Sequence, residues 1–236
     1  MELIGRGNTA EVFALDDKKV WKVFYEGFSE CTIKGEFDNG MIVQEFQLPI
    51  PKVYELRNMD QRMGIIYERL YGTTLLDLLT SGGDVNYIMD QMVDLHKLLL
   101  ACHTRKGKSY KESLRGFIRN RLPKDAPLWN EIDALPDGDT ICHGDYHPGN
   151  VYQCENGECR IIDFMNICYG PWQYDVARSY FLLTDGELPE DVPNKEELMQ
   201  MRILLGKMYL SKMQVSLEEL EPYIHVIREC RYYEIH

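Results

Sequence analysis

The sequence predicts an α+β fold in two lobes: a small N-terminal lobe of five antiparallel strands with one helix, then a larger, mainly helical lobe. Three observations carry this. Between residues 4 and 68 apolar residues recur in short runs, several alternating with polar ones, that are bounded by turn residues, as half-buried strands joined by tight turns require. One helical stretch, about Ser29 to Phe46, interrupts those runs. Past Gly72 the apolar period lengthens to that of an amphipathic helix for much of the remaining chain. The change of period divides the chain into residues 1–70 and 71–236.

The first two strands flank Gly5-Arg6-Gly7-Asn8-Thr9, with Val12 and Phe13 starting the return. Glycine allows close backbone approach and positive φ, so such a turn can lay N–H groups over phosphates. Asp16-Asp17-Lys18 makes the next turn, and Lys19 to Phe24 a third strand in which Lys22 sits among apolar neighbours. The helix that follows places Ile33, Phe37 and Met41 on one face, carries Glu36 inward and Glu45 near its end, and closes at Leu48-Pro49-Ile50-Pro51. Val53 to Leu56 and Arg62 to Glu68 complete the lobe around a turn at Asn58-Met59-Asp60.

The second lobe opens with Leu75, Leu76, Leu78 and Leu79, then a helix from Val85 to Ala101 with Ile88, Met92, Leu95 and Leu99 on one stripe. Gly82-Gly83 is a turn between helices, since no strand precedes it. His96 falls on the buried stripe and reads as a satisfied core histidine. Ser109 to Leu122 is a helix with a basic cluster (Lys108, Lys111, Arg115, Arg119, Arg121), read as a solvated face paired with nearby carboxylates. Pro123, Pro127 and Pro136 mark a loop. Cys154 and Cys159 flank Asn156-Gly157, whose turn would set the two thiols opposite each other. Asp175 lies in the first turn of a further helix, where the macrodipole favours an acid. Two last helices run from Asn194, as cap, to Met213 and from Ser216 to about Tyr232, with Ser216-Leu217-Glu218-Glu219 as a capping box.

Chemistry concentrates between Thr140 and Phe164. An apolar strand (Thr140 to Cys142) leads into His143-Gly144-Asp145-Tyr146-His147-Pro148-Gly149-Asn150, and a second apolar run ends at Asp163-Phe164. Phosphoryl transfer needs a carboxylate to take a hydroxyl proton and oxygen ligands for the metal that neutralises the phosphate. Asp145, then Asn150, then Asp163 supply those types in that order.

These motifs resemble the catalytic and metal-binding loops of the aminoglycoside phosphotransferase and choline kinase family, whose fold is protein-kinase-like and bilobal. The resemblance implies Asp145 as catalytic base and Asn150 and Asp163 as ligands of Mg²⁺. It implies that Gly5, Gly7, Asn8, Thr9 and Lys22 meet the phosphates of ATP, with Glu36 orienting Lys22. Which of Asn8 and Thr9 touches phosphate stays open. Main-chain groups from Glu68 to Leu70 would read the base, which leaves ATP and GTP both open. Asp175 is implied as the brace of the catalytic loop, and His143 and His147 as loop scaffolding, His147 being within reach of substrate. Gly144, where protein kinases commonly carry Arg, Met165 in place of their Gly, and the lack of an activation segment disfavour a protein kinase. Because the family's C-terminal helices shape the acceptor pocket, Glu218, Glu219, Glu221, Glu229 and Glu234 become candidates to meet an amine. The implied function is ATP- and Mg²⁺-dependent phosphorylation of a small-molecule hydroxyl; the alternative from another class is a nucleotide-binding sensor without catalysis.

Composition narrows the partners. A net charge of -12 over 236 residues argues against nucleic acid, which wants clustered Lys and Arg, and a cationic acceptor is easier to accommodate. No leader pattern or bilayer-length apolar window is visible, so no membrane is expected. Seven cysteines, an odd number, fit a reducing cytoplasmic setting better than a disulfide framework, and no second pair offers zinc-ligand spacing.

Overall fold

The structure is a computed structural model that describes residues 1–59, 62–185 and 194–235. Five strands, β1 (Glu2–Arg6), β2 (Ala10–Ala14), β3 (Lys19–Phe24), β4 (Val53–Met59) and β5 (Arg62–Glu68), form one antiparallel sheet in the order β1-β2-β3-β5-β4. The α+β architecture with a five-stranded N-terminal sheet is thus as expected. Period two decides the faces of β3. Trp21 and Val23 pack with Ile66 in a small outer cluster, while Val20 and Phe24 join the main core and Lys22 shares their side. Strand β4 continues through Asn58 and Met59, because both find ladder partners in β5; Asp60 of the expected turn lies outside the described residues.

Helix α1 (Glu30–Gln44) begins at Ser29, whose side chain accepts from the Thr32 amide. Its buried face is Ile33, Glu36, Gly40 and Val43, and Met41 is 40% exposed. Of the expected Ile33-Phe37-Met41 face, Ile33 is buried and Phe37 packs against the core, and only Met41 is corrected. A strict spacing of four drifts around a helix of 3.6 residues per turn, and the observed alternation of three and four stays over the sheet.

Past β5, β6 (Gly72–Thr74) pairs with β8 (Val151–Cys154), which pairs with β9 (Cys159–Ile161), and β7 (Thr140–Cys142) pairs with β10 (Cys168–Gly170). Around these short ladders pack α2 (Leu75–Thr80), α3 (Val85–Leu100), α4 (Tyr110–Ile118), α5 (Pro127–Ala134), α6 (Trp172–Thr184), α7 (Lys195–Met213) and α8 (Leu217–Ile235). The α3 stripe of Ile88, Met92, Leu95 and Leu99 is buried as expected, and the main core runs without a break from the sheet into these helices. Among the described residues no helix is long and apolar enough to cross a membrane.

Four local expectations are corrected. The 123–136 loop contains α5, because Pro127 sits at the helix start, where its missing N–H costs nothing. Helix α4 stops at Ile118 rather than Leu122. In the β8-β9 hairpin Cys159 faces Gln153, not Cys154. Gly157 has φ +86 and its N–H bonds Cys154 O at 2.8 Å, so a three-residue loop with a bulge replaces the two-residue turn. Asn194 makes no side-chain cap bond. Of the Ser216 box, Oγ accepts the Glu219 amide at 3.2 Å.

Candidate active site

A cleft between the sheet and the helical lobe encloses a cavity of about 640 Å³. Its lining includes Gly5, Gly7, Asn8 and Thr9 from the first turn, Lys22, Glu36, Glu68 and Leu70, and, from the opposite wall, Asp145, Asn150 and Asp163. The two remaining predicted residues, His143 and Asp175, lie beneath this floor, fully buried. A separate hollow of about 490 Å³ behind α3 gathers none of these residues.

Lys22 is the hub. Its Nζ donates to Glu36 Oε1 at 2.7 Å and to Asp163 Oδ1 at 3.1 Å, and Glu36 Oε1 also accepts the Tyr67 hydroxyl at 3.0 Å. Burial alone would lower the ammonium's pKa, but Asp163 and Glu36 together hold it above its ordinary value. Burial raises the Glu36 carboxyl despite Lys22. Burial pushes the Asp163 carboxyl up, but Lys22, with His143 and the Met165 amide, holds it below its ordinary value. Glu45, at the C-terminal cap of this helix, instead pairs with exposed Lys106 at 2.5 Å.

Asp163 has φ +66, a left-handed conformation that a non-glycine residue keeps only when its surroundings hold it. Asn39 of α1, one turn past Glu36, provides part of that hold by donating to the carbonyls of Phe164 and Met165 at 2.9 and 3.2 Å. Sequence reasoning missed Asn39; its three-residue offset from Glu36 was the available signal.

The Asn150 amide nitrogen donates to the Asp145 carbonyl at 2.8 Å and to Asp145 Oδ2 at 3.3 Å. The nitrogen is thereby committed to the Asp145 loop, and Oδ1 is the atom left for the cleft. His147 completes this turn: Gly149 N–H donates to its Nδ1 at 3.0 Å. Burial lowers its pKa more than Asp145 raises it, which favours the neutral ring.

Beneath, Asp175 accepts the amides of His143 and Gly144 at 2.7 and 2.8 Å, and His96 Nε2 at 3.0 Å. His96 Nδ1 lies 2.6 Å from the Tyr209 hydroxyl, so this core histidine is satisfied on both nitrogens. Fully buried Asp175 would be driven upward by desolvation, yet its hydrogen bonds and the neighbouring His96 hold it below the ordinary carboxylate value. His143 Nε2 reaches Ile162 O at 3.0 Å, tying the Asp145 loop to the Asp163 strand. Arg178 was also missed. Its Nε donates to Gly144 O at 3.1 Å and its Nη2 clasps Glu234 at 2.7 and 2.8 Å. Of the C-terminal acids named, Glu234 turns inward onto this arginine; Glu218, Glu219, Glu221 and Glu229 face solvent.

Two further readings change. Neither Gly5 nor Gly7 has positive φ, and a Cβ at either would make only ordinary van der Waals contacts, with Val12 and with the Ala10 carbonyl. In the basic helix, Lys111 is buried on Asp137 at 2.8 Å and Arg115 pairs with Asp133, so part of that cluster holds α4 to α5 and to the segment after it.

The donors fit a hard cation in one way only. Among the described residues no group of three His, Cys, Asp or Glu side chains could hold a metal, so Asn150 and Asp163 would bind one together with phosphate and water oxygens, as magnesium prefers.

The model of the phosphotransferase enzyme family matches residues 2–198. No curated protein matches the chain in sequence. Among solved structures, an aminoglycoside-3'-phosphotransferase of type VIII superposes with TM-score 0.61 at 19% identity over 97% of this chain and 91% of its own. The phosphotransferase APH(3'')-Id from Streptomyces rimosus, in complex with ADP and streptomycin, gives 0.60 at 14% identity over 92% and 88%. A thermostable APH(4)-Ia in ternary complex with ADP and hygromycin B gives 0.57 at 15% over 98% and 92%. At such identities these neighbours establish the fold, and the sequence match settles the family: the chain belongs to the phosphotransferase enzyme family.

Proposed function

We propose that the protein transfers the γ-phosphoryl group of ATP to a hydroxyl of a small molecule, with residues 1–70 as the nucleotide lobe and 71–236 as the catalytic and acceptor lobe. The observation that carries this is the convergence of Lys22, Asp145, Asn150 and Asp163 on one cavity, with the Asn150 amide committed to Asp145. In this reading the Gly5–Thr9 turn and Lys22 hold the phosphates, and main-chain groups from Glu68 to Leu70 take the base. Glu68's own carboxylate is engaged elsewhere, with Arg160 and the Lys52 amide. Asn150 Oδ1 and Asp163 would hold magnesium. Held there, magnesium would supply positive charge to offset the negative charge that develops on the transferring phosphate. Asp145 accepts the acceptor's proton as the new O–P bond forms and ADP leaves.

The neighbours' complexes with ADP support the nucleotide, and those with streptomycin and hygromycin B support a polyhydroxylated, cationic acceptor, which a chain of net charge -12 would attract. The cytoplasmic setting belongs to the same proposal, as does the exclusion of nucleic acid and membrane. Incubating the protein with MgATP and, in turn, hygromycin B, streptomycin and choline, and following ADP release and acceptor mass, tests it. The expected result is phosphorylation of at least one acceptor, or of water, that Asp145→Ala abolishes while ADP still binds. Equal turnover in that variant, or none in the wild type, overturns the reading.

A further inference from the structure

His147 lines the cavity, and beyond shaping its own turn it has no chemical role among those assigned so far. Its position is built by its own loop. Because Nδ1 accepts the Gly149 N–H, the ring proton is on Nε2. A Cβ at Gly149 would come within 2.8 Å of His147 Cε1 and 3.0 Å of Nδ1, so only a bare glycine lets the ring lie against this turn. Nε2 then faces Asp145 Oδ2 across 3.8 Å, and the two side chains are 31% and 30% exposed. That gap is too wide for a direct hydrogen bond, but an oxygen atom about 2.8 Å from each would bridge it.

We propose that His147 is a further catalytic residue: its Nε2–H donates to the oxygen of the acceptor hydroxyl while Asp145 Oδ2 takes the proton of that hydroxyl. The inference rests on the phosphotransferase reading. Held from both sides, the oxygen has one lone pair left, and that pair is turned to the γ-phosphorus. The acceptor's O–H bond breaks toward Asp145, the O–P bond forms, and the bond from the γ-phosphorus to the bridging oxygen breaks, its electron pair leaving with ADP. His147 keeps its proton throughout. It orients the nucleophile, whereas Asp145 deprotonates it.

Water is the smallest hydroxyl acceptor, so hydrolysis of MgATP by the full chain is the test, with MgADP affinity by calorimetry as the control. His147→Ala should lower the hydrolysis kcat about 10- to 100-fold and leave MgADP affinity unchanged. His147→Gln, which returns an N–H close to the place of Nε2, should recover most of that loss. A wild-type rate in His147→Ala overturns the inference. So does a Gln variant as slow as the Ala variant while both keep the wild-type circular dichroism, since that result assigns His147 to packing of the loop. If the wild type itself hydrolyses no ATP and phosphorylates no acceptor, the phosphotransferase reading fails and this inference with it; an active wild type beside an indifferent His147→Ala removes His147 alone.

Discussion

Lys22 and Asp163, 141 positions apart in sequence, meet at 3.1 Å, so one ammonium on the sheet ties down the acid that ends a strand-like run in the other lobe. Glu36, 1% exposed, shares that ammonium. Lys22→Met would leave Glu36 with the Tyr67 hydroxyl as its remaining donor. Breaking a buried pair by removing one partner costs about 3 kcal/mol or more, and protonation of Glu36 recovers part of it. Urea unfolding should therefore show a lower midpoint for Lys22→Met, and MgADP affinity should fall with it. An unchanged midpoint would mean that the three charges are not coupled.

The committed amide of Asn150 makes a sharper prediction. As a metal ligand Asp is better than Asn, so metal chemistry alone says that Asn150→Asp should be tolerated. The structure says otherwise, because a carboxylate oxygen would replace the nitrogen that now donates to the Asp145 carbonyl, setting two acceptors together at about 1–3 kcal/mol. Turnover with MgATP should fall in Asn150→Asp at least as far as in Asn150→Ala. A variant with Asp at 150 that outperforms the alanine would show that the bond to Asp145 is dispensable.

The residues that chemistry demands by type and order were legible: Asp145, Asn150 and Asp163 follow one another at short range, and Lys22 stands on a strand behind a glycine turn. What holds them was largely not. Tyr67, Arg178 and Glu234 act across elements far apart in the chain, and no local period announces such pairings. Glu36 is the buried acid of α1, as its inward placement implied, although Met41, expected on the apolar face of that helix, is exposed. Helix α5 was hidden because Pro123, Pro127 and Pro136 read as breakers, when Pro127 at a first position starts a helix. The Cys154–Cys159 register failed on a single residue, the left-handed Gly157, which adds a bulge that residue types alone do not distinguish from a two-residue turn.

Asp175 predicts a pH dependence of stability. Its carboxyl is held below the ordinary 3.8 in the folded protein, and in the unfolded chain it returns to about that value. Above pH 3.8 both states are ionised and the full stabilisation is present. As pH falls below that, the unfolded chain binds a proton first, and the contribution is lost as pH drops through the folded value. Asp175→Asn should therefore be destabilised by about 3 kcal/mol at neutral pH, and its urea midpoint should converge on that of the wild type as the solution is acidified below the ordinary carboxylate range. Parallel curves at every pH would show that the charge of Asp175 is not what braces the loop.

Gly144 shows why the Asp145 loop takes this form. Its φ is +75 and a Cβ there would overlap the carbonyl oxygen of Asn166, while its own amide bonds Asp175 and its carbonyl bonds Arg178. The backbone cannot shift to make room without breaking one of those bonds, and the residue after it is Asp145. In Gly144→Ala the left-handed conformation alone costs about 1–2 kcal/mol, and the overlap adds to it. The substitution should lower both stability and turnover, whereas Gly116→Ala, at a helical glycine where a Cβ meets nothing within 4 Å, should leave turnover intact. The same comparison explains why the Arg that protein kinases commonly carry before this aspartate has no room here: Asn166 occupies the space that the side chain would need.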